Sequence, residues 1–262
     1  MAYTLGFAGG GRIARIMLGG WVRNGASIAR VKFVDPDDRA ARLLLSQVSG
    51  PLERVSQVSE LVDSEFIFLA VHPPAIPTVT AELSGKLKPE SVVVSLAPKI
   101  TISQLQQQLG GFPNVARVIP NASSLVGMGY NPVRLAKGFP EAQMVRLMSL
   151  LQILGKAPFV SESHLELYAL LTAMGPTYFW PQFYELRSIL TGLGLSPEDF
   201  QAALRDMVLG ALATMEASCL SEAEVMDLIP VKPLGEFEAT LRQAYRDKLP
   251  AIYEKIRPVA EN

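Results

Sequence analysis

The sequence is poor in the side chains that bind metals and form disulfides. Its 262 residues include two histidines and one cysteine. The single Cys219 excludes a disulfide within the chain, and His72 and His164 are too few for a catalytic metal site built on several imidazoles. We therefore predict no metal, and we expect any chemistry to come from a bound organic cofactor.

An excess of charge is also missing. The 24 lysines and arginines are balanced by 25 aspartates and glutamates, so the formal net charge is −1. Nucleic acids and anionic membranes are bound by cationic surfaces, so the composition predicts neither as a partner. Charged residues make up 19% of the chain and apolar residues 49%. We therefore expect much of the chain to lie in a core or in an interface between subunits.

Long apolar runs are absent as well. A membrane-spanning helix needs about 18 or more apolar residues in succession. The richest segment, 165–183, is interrupted by Glu166, Gly175, Pro176, Pro181 and Gln182. Because the N-terminus has no basic segment followed by an apolar run, we also expect no targeting signal and a cytoplasmic protein.

Residues 1–160 alternate short runs rich in Val, Ile and Phe with helical patterns. This alternation is typical of a parallel sheet flanked by helices, so we predict an α/β fold with an N-terminal Rossmann-type, doubly wound sheet. The predicted strands are 3–8, 29–34, 66–71, 91–96, 115–119 and 157–160. The predicted helices are 12–24, 38–48, 76–83, 102–109 and 141–154.

Residues 161–262 have no such strand runs and are predicted to form an all-helical domain. The expected helices are 164–174, 178–191, 197–218, 221–228 and 237–257. The start at Ser196-Pro197 combines a capping serine with proline at the first helical position. Since a small helical domain buries a limited core alone, we predict that its apolar stripes pack against a second copy in a homodimer.

The strongest chemical signal is the turn that follows the first predicted strand. It has the pattern Gly9-x-Gly11-x-x-Ala14 and opens the first predicted helix. Gly9 permits a tight turn, Gly11 lets backbone amides approach a pyrophosphate, and Ala14 allows close packing of helix on strand. The pattern indicates a dinucleotide cofactor, NADH or NADPH, against the alternative of a glycine turn without a ligand.

Asp35 ends the second predicted strand, about 20 residues beyond the glycine turn. A carboxylate there accepts hydrogen bonds from ribose hydroxyls and repels a 2′-phosphate, which favours NAD over NADP. Two alternatives stay open. Arg39 could face a 2′-phosphate, and Asp35, Asp37 and Asp38 could simply form a turn with a helix cap.

Four short segments then occur in a characteristic order: 6–11, 69–73, 117–121 and 175–178. Together they resemble pyrroline-5-carboxylate reductases along almost the whole chain. The resemblance implies a Rossmann domain, an interlocked helical dimerisation domain, possible higher oligomers, and reduction of a cyclic imine by NAD(P)H, as in proline biosynthesis.

The resemblance also implies roles for individual residues. The cofactor would be bound by Gly9, Gly11, Arg12, Ile13, Asp35, Ala70, Val71, His72, Pro73 and Ala97. The substrate would be bound by Asn121, Met174, Gly175, Pro176 and Lys232. The catalytic candidates are Asn121, His72 and Tyr178.

His72 and Tyr178 each have a plainer interpretation. His72 could donate a proton or bind ribose, because imidazole titrates near neutrality. It could equally cap the loop before Pro73. Tyr178 could reach the substrate through its phenol, or belong to an aromatic helix core and subunit interface.

Several positions depart from the family pattern. His72 replaces a lysine, Lys99 replaces a glycine, and Met174 stands where a small hydroxyl side chain is expected. The Thr-Ser-Pro-Gly-Gly-Thr-Thr segment that grips the substrate carboxylate is replaced by 229–237, where Glu236 repels a carboxylate unless Lys232 compensates.

These departures predict that the substrate differs from ordinary pyrroline-5-carboxylate. The bond reduced is expected to be the C=N, or alternatively a C=O, of a small molecule, with a cyclic imino acid as one candidate. A nucleotide-binding regulatory or sensor protein without turnover is the alternative function. A deazaflavin-dependent NADP reductase shares the N-terminal pattern, but the segment 175–178 argues against it.

Overall fold

The chain divides into two compact units in a computed structural model that describes residues 2–258. The first, which we call the sheet unit, consists of the chain up to Met174 and the segment that begins at Ile252. The second, which we call the helical unit, is Gly175–Ala251. The division into domains at residue 160 stays a prediction. The contacts place residues 161–174 with the sheet, because Leu165 and Ala169 are buried in one cluster with Ile119.

Seven strands of the sheet unit form one twisted sheet in the order β3-β2-β1-β4-β5-β6-β8. All neighbouring pairs are parallel except β6 and β8, which are antiparallel. The strand order reverses between β1 and β4, as in doubly wound nucleotide-binding folds, so the predicted fold class is confirmed. The strands are β1 Tyr3–Ala8, β2 Ile28–Val34, β3 Leu52–Arg54, β4 Phe66–Leu69, β5 Val92–Ser95, β6 Val115–Val118, β7 Gly129–Tyr130, β8 Val133–Leu135 and β9 Gly155–Lys156.

Helices cover both faces of this sheet. Every residue of β4 and β5 is buried, as expected for central strands. Phe68 belongs to one apolar cluster and its neighbours Ile67 and Leu69 to another. Since successive side chains of a strand point to opposite faces, the two clusters lie on opposite sides of the sheet. The helices are α1 Arg12–Arg23, α2 Asp38–Gln47, α3 Ile76–Leu83, α4 Ile102–Gln108, α5 Glu141–Gln152 and α6 Leu165–Tyr168.

The prediction of a sixth strand at 157–160 is wrong. The chain instead forms the two-residue strand β9, which pairs with β7 in a separate small sheet. Only Phe159 makes an isolated bridge, to Val133. The short strands β3 and β8 were not predicted. A strand of three residues is defined by its tertiary partner more than by its own composition.

The predicted helix 164–174 also differs from the structure. After α6 the backbone forms a π-helical turn, Ala169–Ala173, in which the Met174 N–H donates to the Ala169 carbonyl oxygen at 2.9 Å. Such turns carry no simple sequence periodicity and often occur at functional sites.

The helical unit contains α7 Pro176–Gly192, α8 Pro197–Ala217, α9 Glu222–Asp227 and most of α10 Glu238–Ile256. The predicted start of α8 is confirmed, because the Ser196 hydroxyl accepts from the Asp199 N–H at 3.0 Å. Within this unit Phe200 is buried to 6% exposure, whereas Leu193 is 79% exposed. Among the described residues, no helix is long and apolar enough to cross a membrane.

Candidate functional site

The glycine turn lies at the carboxyl end of β1, beside β4. Gly9 has φ +102°, and a Cβ built on it would lie 2.5 Å from the Ala70 carbonyl oxygen. Only glycine therefore fits at this position, for reasons of both backbone conformation and space. The Gly9 N–H donates to Val34 at the end of β2, at 2.8 Å. The turn is thus held between the ends of three neighbouring strands.

Gly11 precedes α1 and leaves its N-terminus open. A Cβ on Gly11 would meet no protein atom within 4 Å, and no side chain caps the helix there. Free N–H groups at a helix start attract anions, and the missing side chain lets a phosphate approach the backbone. The residues present therefore fit the pyrophosphate of a dinucleotide.

Asp35 is directed at the glycine turn. Its Oδ2 accepts from the Gly10 N–H at 2.7 Å and its Oδ1 from the Asp37 N–H at 2.8 Å. Each carboxylate oxygen has a further lone pair, so these bonds orient the group without exhausting its capacity to accept. The helix-cap alternative applies to Asp37, which caps α2 by accepting from the Arg39 N–H.

A cavity of about 710 Å³ opens next to Asp35. It lies between the ends of β2 and β3 and the first turns of α3, and its lining includes Asp35, Arg54, Gln57, Val71 and Thr78. Arg54, which was not predicted, donates to the Asp35 backbone carbonyl at 2.9 Å and pairs with Asp38 at 2.7 Å. This ion pair holds the pKa of Asp38 below its usual value, the side-chain hydrogen bond from Arg54 being the largest cause. The cavity has the place and size for an adenosine.

The loop after β4 lies at the edge of the sheet that is formed by the carboxyl ends of the parallel strands, beside the glycine turn. We call this the carboxyl edge, or simply the edge. Ala70 donates its N–H to Ala8 at 2.8 Å and faces Gly9 with its carbonyl. His72 is exposed, and its side chain makes no capping hydrogen bond to the turn Pro73–Ala75. The alternative in which the imidazole caps this loop is therefore not what the structure shows.

Asn121 follows β6 on the same edge and is 6% exposed. Its side-chain amide nitrogen donates to the Tyr130 carbonyl at 3.4 Å, while its Oδ1 is buried with no hydrogen-bond partner. A buried acceptor without a partner is costly in the protein alone. It suits a site where a ligand donor, such as a carboxamide or an iminium N–H, supplies the missing bond.

Beneath the edge lies an ion pair that sequence reasoning missed. Arg117 of β6 and Glu166 of α6 are both fully buried, and their Nη2 and Oε1 atoms are 2.5 Å apart. Glu162 also contacts Arg117, at 3.1 Å. The signal was an arginine within an apolar strand and two glutamates four residues apart, a spacing that puts both on one helix face.

Ala97 and Lys99 follow β5. Ala97 is buried, and its N–H donates to the Ser95 hydroxyl at 3.3 Å. Lys99 is exposed, with φ +74°, and its N–H donates to Glu166 Oε1 at 3.2 Å.

The predicted substrate residues are divided between the units. Asn121 and Met174 belong to the sheet unit, and Gly175, Pro176, Tyr178 and Lys232 to the helical unit. Tyr178 packs edge to face on Tyr245, with ring centroids 5.6 Å apart, and burial raises the pKa of its phenol. That packing matches the interpretation as an aromatic core residue. Lys232 is exposed.

Within residues 2–258, no three side chains of His, Cys, Asp or Glu are grouped so as to hold a metal ion. Cys219, the single cysteine of the sequence, is exposed and free.

The chain is similar over most of its length to pyrroline-5-carboxylate reductases of several bacteria. The pyrroline-5-carboxylate reductase of Staphylococcus aureus strain COL is 24% identical over 249 residues, which cover 95% of this chain and 92% of the relative. That of Pseudomonas aeruginosa is 26% identical over 252 residues, 96% of this chain and 92% of the relative.

A solved structure and a family model agree with this result. The Plasmodium falciparum pyrroline carboxylate reductase with NADP bound superimposes with a TM-score of 0.77, covering 97% of each chain at 19% identity. A family described as coenzyme F420-dependent NADP oxidoreductases matches residues 4–99. That match falls on the N-terminal pattern expected to be shared with the deazaflavin-dependent reductases, whereas the pyrroline relatives match both units.

Proposed function

We propose that the chain is an NAD(P)H-dependent oxidoreductase that reduces the C=N bond of a small cyclic imino acid. Its similarity to pyrroline-5-carboxylate reductases over almost the whole length supports this proposal. The observation that carries the proposal is the glycine turn, which is held open at the start of α1 beside the ends of β2 and β4. The edge also presents the unpartnered Oδ1 of Asn121, an acceptor suited to a substrate or cofactor N–H.

Each residue at this edge has a role that follows from its position. The backbone from Gly9 to Ile13 binds the pyrophosphate, and the loop from Ala70 to Pro73 borders the nicotinamide ribose. A bound nicotinamide supplies the hydride. Asn121 orients the reacting groups by accepting an N–H at its Oδ1, and its burial keeps water from that oxygen. His72, exposed beside this edge, hydrogen-bonds the ribose or supplies the proton that keeps the imine cationic.

Asp35 supports NADH as the preferred cofactor. The Gly10 and Asp37 N–H groups hold its carboxylate at the turn, where the remaining lone pairs accept from ribose hydroxyls. A 2′-phosphate would face this negative charge, and the nearby cation Arg54 is already paired with Asp38.

We also propose that the protein forms a homodimer. The helical unit exposes large apolar side chains along α8, including Leu209, Leu212 and Met215. Such an exposed apolar patch is typical of a subunit interface.

The test is an assay of NADH and NADPH oxidation with a panel of cyclic imines and 2-oxo acids, pyrroline-5-carboxylate among them. We expect turnover with a cyclic imino acid, slow turnover with pyrroline-5-carboxylate, and a kcat/KM at least tenfold higher with NADH than with NADPH. Asp35→Asn should narrow that ratio, because it removes the charge and keeps an acceptor.

Two outcomes would change the proposal. Turnover of pyrroline-5-carboxylate at rates ordinary for a metabolic enzyme would show that the altered segment 229–237 does not alter the substrate. Stoichiometric binding of NADH without oxidation across the panel would favour the alternative, a nucleotide-binding sensor.

A further inference from the structure

Lys99 adopts a backbone conformation that favours glycine. Within the described chain, Lys99 and Cys219 are the non-glycine residues with positive φ, at +74° and +60°. The left-handed region crowds a Cβ against the neighbouring carbonyl, so a lysine there is held by its surroundings. A lysine in this conformation suggests that its side chain has a role that glycine could not fill.

The surroundings that hold it are the buried ion pair. The Lys99 N–H donates to Glu166 Oε1 at 3.2 Å, and Glu166 is fixed in turn by Arg117. Both partners are fully buried, so the loop after β5 is hydrogen-bonded to a buried ion pair. Lys99 itself is exposed, and its ammonium group has no carboxylate within 4 Å among residues 2–258.

The strand order places the loop of Lys99 beyond the end of β5, on the far side of β4 from the glycine turn. β5 is two strands from β1, so its end lies about 10 Å from the glycine turn, given a spacing of about 4.8 Å between strands. β5 is adjacent to β6, the strand that leads to Asn121. The loops that carry Lys99 and Asn121 therefore follow adjacent strands, away from the start of α1.

We propose that the Lys99 ammonium binds the carboxylate of the imino-acid substrate. This inference rests on the proposed function and assigns to the sheet unit a task that the segment 229–237, with Glu236, is poorly equipped to perform. The same chemistry would suit a phosphate of the cofactor, but the distance of β5 from the glycine turn favours the substrate. Glu166 is a positioning residue, since it acts through the backbone of Lys99.

The experiment compares three variants in the full-length protein. Lys99→Gln removes the charge, Lys99→Arg keeps it, and Lys137→Gln is a control at an exposed lysine beyond β8, the antiparallel strand, which ends at the opposite edge. Binding of cyclopentanecarboxylate, an unreactive ring carboxylate, to the protein–NADH complex is measured by calorimetry. Cyclopentanecarboxamide is the uncharged match, and NADH is titrated separately.

Lys99→Gln should weaken carboxylate binding about tenfold or more, the size expected for a charge-assisted hydrogen bond. In Lys99→Gln the Kd values of the carboxamide and of NADH should stay within about twofold of those of the native protein. In Lys99→Arg and Lys137→Gln the Kd values of the carboxylate, the carboxamide and NADH should all stay within the same range. If turnover is found, the KM of the carboxylated imine should rise in Lys99→Gln while that of 1-pyrroline, which has no carboxylate, stays constant.

Three results would overturn the proposal. Unchanged carboxylate binding in Lys99→Gln, or no carboxylate binding by the native protein, excludes Lys99 as the site. A weaker Kd for NADH alone assigns the cation to a cofactor phosphate. A lower melting temperature with unchanged ligand constants makes Lys99 a residue of structural importance only. A panel without turnover rejects the proposed reaction, but leaves the binding comparison as a test of Lys99.

Discussion

Gly9 is a position at the carboxyl edge of the sheet where a side chain of any size would disturb the structure. Its positive φ alone would penalise a side chain, and the Ala70 carbonyl oxygen adds a contact at 2.5 Å that no real Cβ makes. Gly25 offers a matched case, because it has φ +79° with no atom within 4 Å of a built Cβ. The pair separates the cost of backbone conformation from the cost of steric overlap.

We predict that Gly9→Ala destabilises the protein by more than Gly25→Ala. Gly25→Ala should cost about 1 kcal/mol of the free energy of unfolding, the usual penalty for a Cβ in the left-handed region. Gly9→Ala should cost more and also weaken NADH binding, because β1 and β4 must separate. Urea unfolding and NADH fluorescence titration measure the two effects, and equal unfolding free energies in the two variants would contradict the prediction.

At the scale of elements, the Arg117–Glu166 pair joins β6 to α6 inside the sheet unit. Removing one member of a buried ion pair leaves an uncompensated charge, whereas replacing both with apolar residues is often nearly neutral. Glu162 is partly exposed and contacts Arg117 only through Nη1. It cannot substitute for the buried carboxylate.

We therefore expect Glu166→Leu to lower the free energy of unfolding by about 3 kcal/mol. Adding Arg117→Met should recover at least about 1 kcal/mol of that loss, because the stranded cation is removed. Chemical denaturation of both variants checks this, with Glu162→Gln as a third protein of smaller expected effect. A double variant no more stable than Glu166→Leu would show that the pair is not what makes the single change costly.

The same scale explains which parts of the structure the sequence predicts. β1 and α3 have the predicted bounds because each is a continuous apolar or periodic run ended by a glycine, a proline or a cap. The glycine turn and Asn121 lie where strand ends were expected. β3, β8 and β9 were missed or misplaced because two or three residues pair only when a neighbouring strand is already in place. The unpartnered Oδ1 of Asn121 and the strain at Lys99 depend on three-dimensional contacts and have no sequence signal of their own.

At the scale of the whole molecule, the apolar surface of α8 calls for a partner. Leu209 is 59% exposed and Met215 65%, on a helix whose one well-buried side chain is Phe200. An isolated helical unit of this kind would expose a large apolar patch to water. A second copy of the chain that covered the patch with its own would remove that cost.

We predict that the protein is a dimer or a multiple of one, and that Leu209→Asp with Met215→Asp reduces the assembly to monomers. A buried aspartate without a partner costs several kcal/mol, enough to break an interface. Light scattering after size-exclusion chromatography gives the mass. Leu45→Asp, at a leucine of α2 with 48% exposure, is the control. A native protein that elutes as a monomer, or an Asp pair that leaves the assembly intact, would contradict the prediction.

The return of the chain at Ile252 has a practical consequence. The helical unit is an insertion anchored at both ends, and Ile256, at the end of α10, packs on the cluster of Ile119, Leu165 and Ala169 beneath the cofactor edge. A fragment cut after Met174 would lack the last segment of its own hydrophobic core. The cluster of the sheet unit is therefore complete only when the segment that begins at Ile252 is present, so this part of the core forms late during synthesis.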